Sequence, residues 1–184
     1  DGSLTLQDGA AVLPEARGAP FSREVPEAPG LDACVAASQR GGSFADSDYS
    51  GCFSCGRLHP DGLRVFAGPV PGAAMVAATW RPKARFAGPD GFLPAECLWA
   101  ALDCSGATAL TYATAPKSML TGRMLGMADK DVRPDLTYRV IGWPLGGGGR
   151  KWFSGTALID PDGRVRGSIM ATWIAVAEAP AGSA

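Results

Sequence analysis

A chain of 184 residues, 46% hydrophobic and 19% charged, has the composition of one globular domain with a sizeable core. Its net charge of −1, without a basic block, argues against a nucleic-acid partner, and no run approaches the ~18 apolar residues of a membrane span. Five cysteines at scattered spacings favour a reducing cytoplasm over a disulfide framework.

The first third of the chain reads as a hairpin, a linker, a short helix and a loop. Alternating leucines before the turn-forming pair Asp8-Gly9 predict a hairpin over residues 3–17. Three prolines indicate an extended linker over 19–29, an apolar face predicts a helix from Leu31 to Arg40, and residues 43–62 are loop-like.

The longest apolar segment, from Leu93 to Leu110, predicts a helix that other structure encloses, because it is apolar nearly all the way round. Glu96, Trp99, Asp103 and Gly106 follow one another at spacings of three, four and three, which places them on one stripe of that helix. A carboxylate on the wall of a buried helix has to be paired, neutralised or put to use. This stripe is the main functional signal in the sequence.

The segments around the helix are rich in strands. Two strands are predicted before it and four after it: Leu63–Phe66, Ala74–Trp80, Met124–Lys130, Leu136–Pro144, Lys151–Asp160 and Arg164–Val176. Turn-forming runs at 68–72, 146–149 and 160–163 separate them. This order predicts an α+β fold in which an antiparallel sheet wraps around one long central helix.

Three features carry a family resemblance: CFSCG followed by GLRVF, a helix segment ending in ALD before small residues, and the closing DPDGRVRGSIMATWIAV. With them, residues 51–176 resemble the hotdog-fold thioesterases of the PaaI-like acyl-CoA group. In that family the helix opens with His-Gly-Gly and a catalytic Asp follows nine residues after the His. Here Pro94-Ala95-Glu96 stands at the first position and Asp103 at the second, so the acid is matched and the His-Gly-Gly is not.

The resemblance implies a hotdog fold, hydrolysis of an acyl-thioester, and a site formed between two hotdog units in a homodimer or a tandem. The N-terminal hairpin is similar to the last strands of a preceding unit, as in tandem, double-hotdog relatives. We therefore divide the chain into a hairpin and linker (1–33), a helix and cysteine-containing loop (34–62) and a hotdog domain (63–178).

Two carboxylates are candidate catalytic groups. A desolvated Asp103 would suit the role of base or nucleophile, and its alternative role is to hydrogen-bond backbone near Ser105. The resemblance implies that it works with N–H groups at the helix start, here those of Ala95, Glu96 or Cys97. Glu96 lies about 10 Å from Asp103 along the axis, so it is either an acid favoured by the helix dipole or a substrate-facing replacement for the His-Gly-Gly.

The cysteines offer a possible metal site. Cys52, Cys55 and His59 have the C-x2-C-x3-H spacing with which a zinc site can begin, but a closed site needs a fourth ligand. Cys34 is the remaining thiol outside the central helix. The resembling thioesterases often carry such a Cys pair without metal, and we expect none here. The two thiols of the central helix are interpreted as core residues: Cys97 and Cys104.

A coenzyme A ligand needs cations for its phosphates. Arg133, Arg150 and Lys151 lie near predicted strand ends and are the candidates, together with Trp99 as a ligand-facing ring. The glycines at 146–149 are better interpreted as a hairpin than as a phosphate loop.

The leading interpretation is a hotdog thioesterase that acts on an acyl-CoA or another acyl-thioester, with no cofactor beyond the coenzyme A of its substrate. The alternative is a non-catalytic hotdog domain that binds an acyl ligand or serves in assembly. A dehydratase or hydratase on the same fold is the third interpretation. The His that such an enzyme would use is hard to place, because the lone His59 lies outside the helix region.

Overall fold

The computed structural model describes residues 24–41, 49–113 and 118–176, together with the backbone of two N-terminal strands. In chain order the helices and strands are β1 (Leu4–Asp8), β2 (Ala11–Ala16), α1 (Leu31–Arg40), β3 (Gly68–Pro69), β4 (Val76–Trp80), α2 (Ala95–Tyr112), β5 (Met119–Ala128), β6 (Tyr138–Gly148), β7 (Lys151–Ile159) and β8 (Val165–Ala175). A short 3₁₀ helix spans Ala84–Phe86.

Six strands form one antiparallel sheet in the order β3-β4-β6-β7-β8-β5, and β1 pairs with β2 in a separate two-stranded sheet. Helix α2 packs mainly on β6 and β7 and also contacts β8, β4 and β5. The α+β architecture with one long helix against an antiparallel sheet is therefore confirmed.

Both faces of the sheet are covered where β4 lies. Alternate side chains of a strand point to opposite faces, so neighbouring residues of β4 belong to different clusters. On β4, Val76, Ala78 and Trp80 join the main core with Leu98 and Leu102 of α2. Ala77, between them, belongs to a second cluster on the other face, where α1 contributes Cys34 and Ala37. The sheet is thus sandwiched between the two helices in this region.

Close contacts fix the middle of α2 on the sheet. A side chain at Gly106 would collide with the Ser154 hydroxyl of β7, and one at Gly142 of β6 would collide with the Ser105 carbonyl. The absence of a Cβ at these two positions lets helix and strands approach closely. This contact holds the turn of α2 that contains Asp103.

One predicted strand, Leu63–Phe66, is wrong. Leu63 and Val65 donate their backbone N–H groups to the carbonyls of Phe53 and Ser54, at 2.7 and 3.0 Å, instead of to a strand. Arg64, between them, has a φ of 63°, which is incompatible with an extended strand. The partner of β4 at this edge of the sheet is the two-residue strand β3.

Other boundaries shift for local reasons. Strand β5 begins at Met119 instead of the predicted Met124, and its register shifts between Thr121 and Arg123, around Gly122. A glycine and a bulge obscure the alternation that identifies a strand. Helix α2 begins after Pro94, two residues later than predicted, and β6 continues to Gly148 through a second bulge.

The predicted turn at 160–163 is confirmed, with the Gly163 N–H donated to the Asp160 carbonyl at 3.1 Å. Gly9 of the predicted Asp8-Gly9 turn, residues 19–23 of the predicted linker and residues 43–48 of the predicted loop lie outside the described residues. The assignment of the β1–β2 hairpin to a preceding hotdog unit stays a prediction. Of the helices in the described part of the chain, none combines the length and apolar character needed to span a bilayer.

Candidate active site

A cavity of about 170 Å³ lies between the middle of α2, the first half of β5 and the cysteine-containing loop. Its wall is formed by Tyr49, Cys52, Cys55, Asp103, Cys104, Ala107, Met119, Leu120, Thr121 and Trp173. Most of these side chains are apolar or carry sulfur. A carboxylate exposed to such a space has few competing polar neighbours.

Asp103 is half-buried on the cavity wall. The hydroxyl of Thr121 on β5 donates to its Oδ1 at 3.0 Å, which fixes the orientation of the carboxylate. Burial raises the pKa of the Asp103 carboxyl above its usual value; the Thr121 hydrogen bond acts in the opposite direction, and negative charge on Cys52 adds to the increase. The helix thus presents an oriented carboxylate to a mostly apolar cavity.

Three thiols meet beside this carboxylate. The sulfur atoms of Cys52, Cys55 and Cys104 all lie within 4.8 Å of one another, and the Cys52 and Cys104 sulfurs are 3.5 Å apart. Two of them come from the loop and the third follows Asp103 on α2, so the folded chain joins positions about 50 residues apart.

The three thiols do not ionise alike. Hydrogen bonds from Cys104 and Cys55 lower the pKa of the Cys52 thiol, although burial opposes them. The pKa of Cys104 is raised, first by its hydrogen bond to Cys52, then by Cys55 and burial. For Cys55, the hydrogen bond with Cys104 lowers the pKa, but the bond to Cys52 and burial prevail and raise it to about 12. The hydrogen bond between Cys52 and Cys104 thus shifts the pKa values of these two thiols in opposite directions.

Backbone hydrogen bonds give the loop a defined shape. The Cys52 N–H is donated to the Tyr49 carbonyl at 2.9 Å, and the Gly56 N–H to the Cys52 carbonyl at 2.8 Å. A Cβ at Gly56 would collide with the Ser50 carbonyl and the backbone of Cys52. Together with the links from Leu63 and Val65 described above, these bonds dock the loop onto the core.

The other predicted catalytic residue and the helix-start donors lie elsewhere. Glu96 and Ala95 are exposed in the first turn of α2, and the Cys97 N–H is donated to the Pro94 carbonyl at 3.0 Å. Ala95 and Asp103 are eight residues apart, about 12 Å along the axis. Ala95, Glu96 and Cys97 do not belong to the wall of the cavity. Trp99 packs instead against the main core.

The three cationic residues predicted to bind coenzyme A phosphates lie in two separate regions of the structure. Arg150 and Lys151 lie at the β6–β7 hairpin, where Lys151 pairs with Ile174 of β8 and Ile174 with Leu120 of the cavity wall. Lys151 is thus two strands from Leu120 but next to β8, which supplies Trp173 to the cavity wall. Arg133 is exposed in the loop before β6, beside Val132, whose carbonyl accepts the Leu93 N–H near the start of α2.

Two features of the site were not predicted from the sequence: the contact of Thr121 with Asp103, and the place of Cys104 beside Cys52 and Cys55. Thr121 lies where a bulge hides the strand, so its approach to Asp103 has no local signal. Cys104 could have been identified from the sequence, since it adjoins Asp103 and the Cys52–Cys55 pair needs further ligands to form a metal site. Neither His59 nor Cys34 joins the pair: His59 Nδ1 accepts the Asp61 N–H at 3.1 Å, and Cys34 is buried on the opposite face of the sheet.

No family model matches the sequence, and no curated protein matches it. Solved structures do match. The PaaI protein from the phenylacetic acid degradation operon of E. coli aligns at 8% identity with a TM-score of 0.59, covering 77% of this chain and 94% of that one. A thioesterase superfamily protein aligns at 16% identity and a TM-score of 0.56, over 62% of this chain but only 55% of its own length.

A third structure is a Streptococcus mutans protein bound to acetyl CoA, which aligns at 13% identity with a TM-score of 0.50, covering 56% of this chain and 82% of that one. At these identities the likeness establishes the fold. The sheet and its central helix are a hotdog fold.

Proposed function

We propose that this protein hydrolyses an acyl-CoA or a related acyl-thioester, with Asp103 as the catalytic carboxylate. The observation that carries the proposal is the position of Asp103: on the helix that packs on the sheet, oriented by Thr121 at 3.0 Å, and facing a cavity of about 170 Å³. The proteins of the same fold described above include a thioesterase superfamily member and one bound to acetyl CoA, which supports this choice of substrate class.

The reaction needs a base beside the thioester carbonyl. Asp103 accepts a proton from a water molecule while the water oxygen forms a bond to the acyl carbon. The carbon–sulfur bond then breaks, and the proton held by Asp103 passes to the departing thiolate. The products are the free acid and coenzyme A, and the carboxylate of Asp103 is regenerated. Thr121 acts as a positioning residue, because it contacts the carboxylate and not the reacting atoms.

A second hotdog unit completes this site in our proposal. The N–H groups of Ala95, Glu96 and Cys97 in the same chain are about 9–12 Å from Asp103 along the axis, too far to polarise a carbonyl in contact with it. Strand β5, which supplies part of the cavity wall, is an edge of the described sheet and exposes Leu120 and Met127 at 54% and 55%. An exposed ten-residue edge is a natural surface for a second unit.

The cavity is small for a whole acyl-CoA. Ligand pockets for drug-sized molecules occupy about 300–1,000 Å³, so a space of about 170 Å³ fits the thioester and a short acyl group. We place the nucleotide end outside, toward Arg150 and Lys151 at the β6–β7 hairpin, where their charges can meet phosphates.

The second candidate function is acyl binding without turnover. It is favoured by Pro94-Ala95-Glu96 in place of His-Gly-Gly and by the lack of helix-start residues in the cavity wall. A protein of this kind would hold the acyl group against the apolar wall and leave the thioester intact.

A panel of short, long and aromatic acyl-CoAs separates the two functions. Release of coenzyme A is best followed by chromatography, because the five cysteines of the protein would react with thiol reagents. Turnover, with short chains preferred, is the expected result. Binding by calorimetry without any coenzyme A release would support the second function, and neither binding nor turnover would exclude both.

A further inference from the structure

The three sulfurs beside Asp103 have the spacing of metal ligands. Zinc–sulfur bonds of about 2.3 Å in a tetrahedral site place the sulfurs about 3.8 Å apart. The Cys52 and Cys104 sulfurs are 3.5 Å apart, and Cys55 lies within 4.8 Å of both. The three thiols therefore surround a point that can hold an ion with small side-chain adjustments.

The loop also holds its two cysteines in a fixed arrangement. The Cys52 N–H is donated to the Tyr49 carbonyl at 2.9 Å, and the Cys52 carbonyl accepts the Gly56 N–H at 2.8 Å, so the backbone of Cys52 is bonded on both sides. This turn requires glycine at position 56, because a Cβ there would collide with the backbone of Ser50 and Cys52. Such a turn, docked onto the core, is more than a chance meeting of three side chains.

We propose that Cys52, Cys55 and Cys104 bind one zinc ion, with the fourth coordination position open to the cavity. Three thiolates favour zinc over magnesium or calcium, which prefer oxygen ligands. The prediction that the chain holds no metal considered Cys52, Cys55 and His59 and sought a fourth ligand outside α2. In the structure Cys104 of α2, and not His59, is the third member of the cluster. Asp103 stays outside the set in the described geometry, where Thr121 holds its carboxylate.

The open position faces the same cavity as Asp103, because all three thiols line it. A zinc ion with three protein ligands, when bound, can polarise a carbonyl or activate a water molecule. That catalytic use rests on the proposed function, whereas the binding of the ion does not.

Metal content tests the binding directly. The full chain is purified without a polyhistidine tag, dialysed, and analysed for zinc by mass spectrometry; about one ion per chain is expected. Replacement by cobalt(II) should produce the sulfur-to-metal charge-transfer and visible bands of a tetrahedral thiolate site. Removal of any ligand, in C52S, C55S or C104S, should weaken zinc binding more than about tenfold, with folding checked by circular dichroism.

Cys97→Ser is the matched control, since Cys97 lies on the same helix outside the cluster; it should retain zinc. D103N should retain zinc as well, which separates loss of the metal from loss of the proposed activity. Three outcomes overturn the inference: a wild-type chain that takes up neither zinc nor cobalt, a Cys52–Cys104 disulfide in its place under reducing purification, or zinc that remains in all three ligand variants.

Discussion

The hydrogen bond from Thr121 to Asp103 offers a sharp test of the catalytic role. Thr121→Val removes the hydroxyl but keeps the shape and the β-branched side chain that suits a strand. A hydrogen bond to a charged group contributes about 1.5–3 kcal/mol. Because Thr121 is exposed on an edge strand, water can replace part of the bond, so the lower end applies. That value corresponds to a loss of about tenfold in kcat.

Steady-state acyl-CoA hydrolysis by T121V and Thr121→Ser gives the measurement. The hydroxyl orients the base and not the substrate, so KM should stay near the wild-type value while kcat falls, and the serine variant should restore most of the rate. Equal kcat values for T121V and wild type would show that this hydrogen bond does not support catalysis. A serine variant as impaired as T121V would show that the hydroxyl is not the cause.

Two further predictions concern stability. Leu102 is fully buried on α2, so Leu102→Ala should lower the free energy of unfolding by about 2–5 kcal/mol in urea titrations. Leu58→Ala, at a side chain that is 75% exposed, should change it by less than about 0.5 kcal/mol, and an equal loss in both would contradict the core assignment. Burial acts to raise the pKa of Asp160, but the Arg164 N–H and the Arg166 guanidinium prevail and lower it. Its stabilising contribution is therefore present above about pH 4, the unfolded pKa, and lost as the pH falls through the folded pKa. The difference in unfolding free energy between wild type and Asp160→Asn should shrink below pH 4; a constant difference would exclude this origin.

The fold was accessible from the sequence where local patterns and tertiary structure agree. The segment around Asp103 is apolar on nearly all sides and becomes helix α2, which packs on the sheet but keeps several half-buried and exposed residues on its other side. The run at 160–163 carries turn residues and becomes a turn. In both places the local side-chain chemistry and the tertiary packing favour the same conformation, so the sequence pattern predicts it correctly.

The errors come from tertiary interactions without a local signature. Leu63 and Val65 alternate as strand residues do, but their N–H groups are bonded to the cysteine loop. Gly122 interrupts β5 with a bulge, which hides Thr121. The side chains that surround Asp103 come from the loop, from β5 and from β8, far apart in the chain. Spacing along one helix could single out Asp103 but could not supply those neighbours.

The proposed hydrolysis depends most on the carboxylate of Asp103, and the substitution Asp103→Asn removes that group. The substitution preserves size and removes the base, so kcat/KM for the best acyl-CoA of the panel should fall about a hundredfold to ten-thousandfold. Asp131→Asn, at an exposed aspartate of the loop after β5, is the matched control and should retain the wild-type rate. A folded D103N protein that hydrolyses the thioester as fast as D131N would exclude Asp103 as the catalytic base.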